Sequence, residues 1–165
     1  MQNEMREILF RGKTKAIAGS PYNNGKPDGE WVKGYLYNDV GCWKIKQFET
    51  DRADYISYEV DPETIGQYTG VNDKNETKIF EGDIISIPFE EDRSPYEENR
   101  VYYENAAIYF DNNRHGWYVR FFDDDEISLW EYDEVDVVII GDIHDNPDLL
   151  KDGVDNDWVK NKRAL

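Results

Sequence analysis

Residues 61–87 carry start, turn and strand signals so closely spaced that only short extended segments joined by tight corners can accommodate them. Asp61 is an N-cap whose carboxylate can accept from free backbone N–H groups, and Pro62 follows where its missing N–H costs nothing. Glu63 places a negative charge in a first turn that favours it. Gly66 supplies the left-handed conformation that ends such a turn. The helix predicted here is a corner, not a rod. Beyond it residues 67–71 suit an extended segment and Asn72-Asp73-Lys74-Asn75 is turn chemistry. Residues 79–87 read as a strand interrupted by Gly82 and closed by Pro88.

The same punctuation recurs along the chain. A first strand is predicted over residues 6–13, with Ile8 and Phe10 on one face. Residues 19–29, rich in Gly, Asn and Pro, read as a mobile loop that forms neither helix nor ladder. Strands follow at 31–37 and 43–48, joined by Asn38-Asp39-Val40-Gly41. In the first, Trp31, Lys33, Tyr35 and Tyr37 alternate with Val32, Gly34 and Leu36. In the second, Cys42, Lys44 and Lys46 alternate with Trp43, Ile45 and Gln47. A short strand at 55–60 precedes the central corner, and a polar excursion over 90–99 follows it. Further strands are predicted at 106–110, 117–122, 127–130 and 135–140, and Asn146-Pro147 opens a closing turn of helix. The polar tail 151–165 either docks through Trp158 or frays. Strands at roughly eight- to twelve-residue spacing make a small barrel or sandwich.

Composition agrees. The 24 aromatics among 165 residues (5 Trp, 12 Tyr, 7 Phe) supply most of the core area, and only two Met are present. The net charge is 19 − 36 = −17. Residues 1–50 carry eight Lys/Arg against six Asp/Glu, and residues 121–150 carry eleven acids and neither Lys nor Arg. That field repels phosphate backbones at long range and suits a basic partner. The single Cys42 excludes an internal disulfide, argues for a reducing compartment, and reads as a small buried hydrophobe. No run approaches about 18 apolar residues, so a soluble protein with no membrane association is expected.

Ile65-Gly66-Gln67-Tyr68-Thr69-Gly70, followed by Asp73-Lys74-Asn75 and Ile79-Phe80-Glu81-Gly82-Asp83-Ile84, resembles the signature of the YopX family of phage and prophage proteins. Met5–Lys13 with Gly29–Gly34 resembles that family's opening, and Val138–Leu150 its close. The three blocks span about residues 5–150. The resemblance implies a mainly β fold with an SH3-like barrel packed on an N-terminal β-rich segment, and few short helical turns. Its divisions are 1–60 (β-rich), 61–150 (core) and 151–165 (tail). It implies no established activity. Where the family's turn reads Asn-Gly this chain has Asn75-Glu76, which argues against a tight type I′ turn, because Glu at positive φ is strained.

Catalytic constellations are missing. His115 and His144 have no nucleophile beside them in a recognised local pattern. Asp111-Asn112-Asn113-Arg114-His115-Gly116 imitates half a calcium loop but places Phe122 where a bidentate carboxylate is needed. No glycine-rich loop opens a helix to cradle phosphate. No enzyme activity, cofactor or metal is therefore expected. The family motif offers a candidate binding groove at Gln67, Tyr68, Thr69, Glu81 and Asp83. The acidic stretch offers an interaction face at Asp123, Asp124, Asp125, Glu126, Asp133 and Glu134 for a host or phage protein with a basic surface. The expected role is a non-enzymatic accessory protein of the bacterial cytoplasm, with homo-oligomerisation compatible. Two alternatives stand beside it. One is a nucleic-acid module using Arg6, Arg11, Lys13, Lys15, Lys33, Lys44 and Lys46 with Trp31, Tyr35, Tyr37 and Trp43. The other is a carboxylate-dependent enzyme with two acids of divergent pKa.

Overall fold

The structure, a computed structural model, describes residues 7–20, 22–91, 100–131 and 137–151. In chain order the strands are β1 (Phe10–Lys13), β2 (Tyr22–Asn23), β3 (Lys26–Pro27), β4 (Trp31–Asp39), β5 (Cys42–Glu49), β6 (Asp54–Glu59), β7 (Gly66–Asn72), β8 (Lys78–Phe80), β9 (Asp83–Glu91), β10 (Arg100–Asp111), β11 (Gly116–Phe121), β12 (Glu126–Ser128) and β13 (Val138–Asp142). Three single 3-10 turns interrupt them, at Pro62–Thr64, Leu129–Glu131 and Pro147–Leu150. The protein is mainly β. None of the described helices is long and apolar enough to cross a membrane.

Two sheets carry the architecture, in the orders β6-β5-β4-β1-β7-β8 and β12-β11-β10-β9-β13. Neither closes into the expected barrel. The reason lies in strand allocation. β7 and β8, which the expected barrel needed, pair instead with β1 and with each other. The first sheet therefore runs through Phe80, not to residue 60. The second begins at Asp83, after the two-residue corner Glu81-Gly82.

Local chemistry explains the corners. Asp61 accepts from the Glu63 N–H at 3.2 Å, and Pro62 opens the 3-10 turn as predicted. Gly66 does not end that turn in the left-handed region, because Ile65 already leaves it extended. Gly66 is required by close approach: a Cβ there would lie 2.4 Å from the Glu81 carbonyl oxygen. Pro88 does not close its strand, since β9 continues to Glu91. β13 pairs only with residues 83–86, so at Pro88 the described partner is β10 alone and a missing N–H is tolerated. The segment 19–29 is not a bare loop either. It folds as the β2-β3 hairpin, and Asn23 donates from Nδ2 to the carbonyls of Lys15 (3.0 Å) and Glu59 (2.6 Å). Asn24 donates to the Ser57 carbonyl at 2.6 Å, so the hairpin covers the outer edge of β6.

Two apolar clusters follow the strand alternation. The larger joins Ile79, Ile85, Ile87, Ala106, Ile108, Trp117, Val119 and Phe121 with Leu129 and Val137. The smaller joins Val32, Ile45, Tyr58 and Val60, flanked by Phe10, Leu36, Ile56 and Ile65. Two sequence expectations fail at the ends of strands. Ile8 is exposed rather than paired with Phe10, since β1 begins only at Phe10. Cys42 is exposed rather than buried, because the β4-β5 hairpin tip projects past the smaller cluster.

Candidate functional site

The family-like motif lies at the joint between the sheets, where its polar groups satisfy the fold itself. The Glu81 N–H donates to the Gln67 carbonyl, the Gly82 N–H to Ile108 and the Ile143 N–H to Gly82, each at 2.9 Å. Gly82 sits at φ +83°, where glycine carries no steric penalty. Tyr68 packs on the Phe80 ring, with 5.7 Å between centroids, and donates its hydroxyl to Asn72 at 2.7 Å. Thr69 donates its hydroxyl to the Ile79 carbonyl at 3.0 Å. Asp83 is buried, accepts the Phe80 N–H at 2.7 Å, and forms an ion pair with the buried Arg11 from β1. Arg11 also donates to the Glu81 carbonyl at 3.1 Å and lies over the Trp31 and Phe80 rings. Burial pushes the Asp83 carboxyl up, outweighing the pull of Arg11 and the Phe80 N–H. Burial likewise raises Glu81, against the backbone N–H groups of Gln67 and Phe110. The structure thus brings Gln67, Tyr68, Thr69, Glu81 and Asp83 to one joint, where Arg11 meets Asp83 and the Glu81 carbonyl.

The outward face of the first sheet has a covered end and an open end. At the covered end Lys13 pairs with Asp145, Trp31 donates to Asp145 at 3.1 Å, and the His144 ring lies 5.9 Å from Trp31. At the open end the registers Tyr35↔Lys46, Tyr37↔Lys44 and Phe48↔Tyr55 place all six side chains on one side of β4, β5 and β6. Tyr35 is 60% exposed, and Phe48 and Tyr55 are 49% exposed each. The Lys46 ammonium stands 5.2 Å over the Tyr55 ring, and Phe48 meets Tyr55 edge-to-face at 5.2 Å. Trp43 lies on the opposite side, since it pairs with Asn38 next to the inward pair Leu36↔Ile45. Phe48 and Tyr55 are the members that sequence reasoning missed. Phe48 could have been found by extending the Lys44, Lys46 alternation one step.

The acidic stretch divides. Asp123, Asp124 and Asp125 form the exposed turn between β11 and β12, with Asp124 at φ +65°, and none of the ion pairs among the described residues reaches them. Glu126 belongs to an arginine–tyrosine network on β10, β11 and β12. It accepts from Arg114 at 2.5 Å and from Arg120 at 2.9 Å, while those guanidiniums lie 3.8 Å over Tyr118 and 4.3 Å over Tyr109. The Tyr109 hydroxyl, Arg114 and Arg120 together hold the Glu126 carboxyl down at about 2. Asp133 and Glu134 lie outside the described residues.

Asp111 and Asp142, beside the two histidines, serve turns. Asp111 accepts from the Asn113 and Arg114 N–H groups at 2.8 and 3.1 Å and pairs with Arg114, which closes the β10-β11 turn and leaves His115 at φ +53°. Asp142 accepts the N–H groups of His144 and Asp145 at 2.9 Å each. Among the described residues no cluster of three or more His, Cys, Asp or Glu could hold a metal ion.

A family model described as YopX protein matches residues 27–151. No curated protein matches the chain. Among solved structures, the crystal structure of protein EF1440 from Enterococcus faecalis is similar at 21% sequence identity and a TM-score of 0.45, covering 89% of this chain and 100% of that one.

Proposed function

The chain belongs to the YopX family, and from that premise we propose a phage or prophage accessory protein that binds another macromolecule and performs no chemistry. The observation that carries this reading is the exposed turn Asp123-Asp124-Asp125, whose carboxylates meet no cation among the described ion pairs. With eleven acids and no Lys or Arg over residues 121–150, this region attracts a basic surface on a host or phage protein in the bacterial cytoplasm. A DNA-binding protein whose basic groove accepts an acidic mimic is one such partner. A carboxylate enzyme is disfavoured because Asp83, an acid raised by burial, is occupied by Arg11 and the Phe80 N–H. The test is affinity capture from lysate of a lysogenic host at low and high salt. The wild-type chain retains a basic protein at low salt and releases it at high salt, as electrostatic steering requires. The triple variant Asp123→Lys, Asp124→Lys, Asp125→Lys loses that protein. Equal retention by the variant at low salt sinks the reading.

A further inference from the structure

The acidic turn leaves a second surface unused. We propose that the outward face of β4, β5 and β6 binds single-stranded nucleic acid, independently of the acidic turn. Cross-strand packing accounts for only part of its composition. The Phe48–Tyr55 pair has a stabilising role in the sheet, but Tyr35 stands 60% exposed opposite Lys46, and no aromatic is paired with it across β5. Tyr35 and Tyr37 are two residues apart on one strand, hence about 6.8 Å apart along it. Phe48 and Tyr55 extend the platform across two more strands. A row of exposed rings on a rigid sheet is the surface on which unstacked bases lie, and every base offers a π-face to it.

The charges on this face select the ligand. Lys44 is held by Asp39 at 2.6 Å and stands opposite Glu59, so it contributes little. Lys33 and Lys46 enter no ion pair among those described, and both lie against rings, over Phe80 and Tyr55. One unneutralised ammonium, Lys46, amid four exposed rings, with Lys33 two residues before Tyr35 on the same side of β4, matches a sugar-phosphate strand with splayed bases better than a purely apolar partner. The chain's net charge of −17 opposes any polyanion. At physiological salt that field decays over about 8 Å, and the acidic turn belongs to the other sheet. Duplex DNA, whose bases are stacked inside, gains nothing from the rings and meets the full repulsion.

The probe is fluorescence anisotropy of labelled oligothymidylate and oligouridylate of about 16 nucleotides, against a duplex of the same length, with the full chain. Anisotropy rises with either single strand at about 50 mM salt and falls away by about 200 mM. The two single-strand arms, which differ in the 2′-hydroxyl and the thymine methyl together, show whether the surface tolerates both changes. Tyr35→Ala combined with Phe48→Ala weakens binding at least about tenfold. Lys33→Glu with Lys46→Glu weakens it as well and serves as the second variant should the aromatic pair shift the unfolding midpoint. The triple Asp123→Lys, Asp124→Lys, Asp125→Lys variant binds the single strands at least as well as the wild type. No rise at low salt overturns the proposal, as does a duplex bound equally tightly. Loss of single-strand binding only in the acidic-turn variant overturns it too, by placing the contact elsewhere. Neither result bears on capture of a basic protein, so the two readings fail separately.

Discussion

Val40 is held at φ +50°, beside Gly41 at +88°, in the two-residue loop between β4 and β5. Two successive positive angles make the primed turn that matches strand twist. Asn38 supports it by accepting the Gly41 N–H at 3.0 Å. A β-branched residue suits that conformation least, at a penalty of about 1–2 kcal/mol. Burial does not offset it, since Val40 is 98% exposed. Val40→Asn should therefore raise the free energy of unfolding by about 1 kcal/mol, read from the urea midpoint at unchanged m. An unchanged midpoint would mean that the unfolded state carries the difference. Glu76 is a second case. Its φ of +60° closes the 73–77 turn, which Asp73 supports by accepting the Asn75 and Thr77 N–H groups at 2.9 Å each. The strain anticipated for Glu in place of glycine is present, and the surrounding hydrogen bonds hold it.

Among elements, the β10-β11-β12 ladder shows how a surface network answers to pH. Glu126 titrates near 4.5 when unpaired, and the Tyr109 hydroxyl, Arg114 and Arg120 hold it down at about 2 in the fold. A depressed carboxyl contributes stability above its unfolded value and loses it as pH falls toward the folded one. The unfolding midpoint should accordingly drop as pH is lowered from about 4.5 to about 2, and Glu126→Gln should flatten that part of the profile. Identical profiles for the two proteins would mean that other carboxyls govern the acid limb. Added salt should shrink the difference, because Arg114, Arg120 and Glu126 itself are solvent-accessible. The same ladder explains why the acidic stretch is not one uniform face. Glu126 alternates onto the side that carries Arg120, whereas Asp123, Asp124 and Asp125 lie in the turn beyond the pairing.

At the scale of the whole molecule, one buried ion pair ties the first strand of the first sheet to the first strand of the second. Arg11 and Asp83 are 72 residues apart in sequence, and both are buried. Removing one partner of such a pair leaves a charge without its counter-ion, at about 3–5 kcal/mol. Arg11→Met should destabilise the protein by that amount in urea unfolding. Adding Asp83→Asn should restore part of the loss, since the amide keeps an acceptor for the Phe80 N–H and sheds the charge. Strictly additive losses would show that the pair does not act as a unit. The amino-acid order alone determined what is local: the Asp61-Pro62 corner, the Asp73 and Asp111 turns, the inward and outward sides of β4 and β5, and the mainly β class. These follow from backbone conformational preference and a two-residue period, which act over a few neighbours. Tertiary structure alone decided which strands became partners. It sent β7 and β8 to the first sheet, let β9 run through Pro88, left Cys42 and Ile8 in solvent, and turned the Gly82-Asp83 motif into a joint around Arg11. Strand period names the face a side chain takes but not the edge its strand will meet. That choice is made by packing between segments far apart in the chain, and no short-range pattern records it.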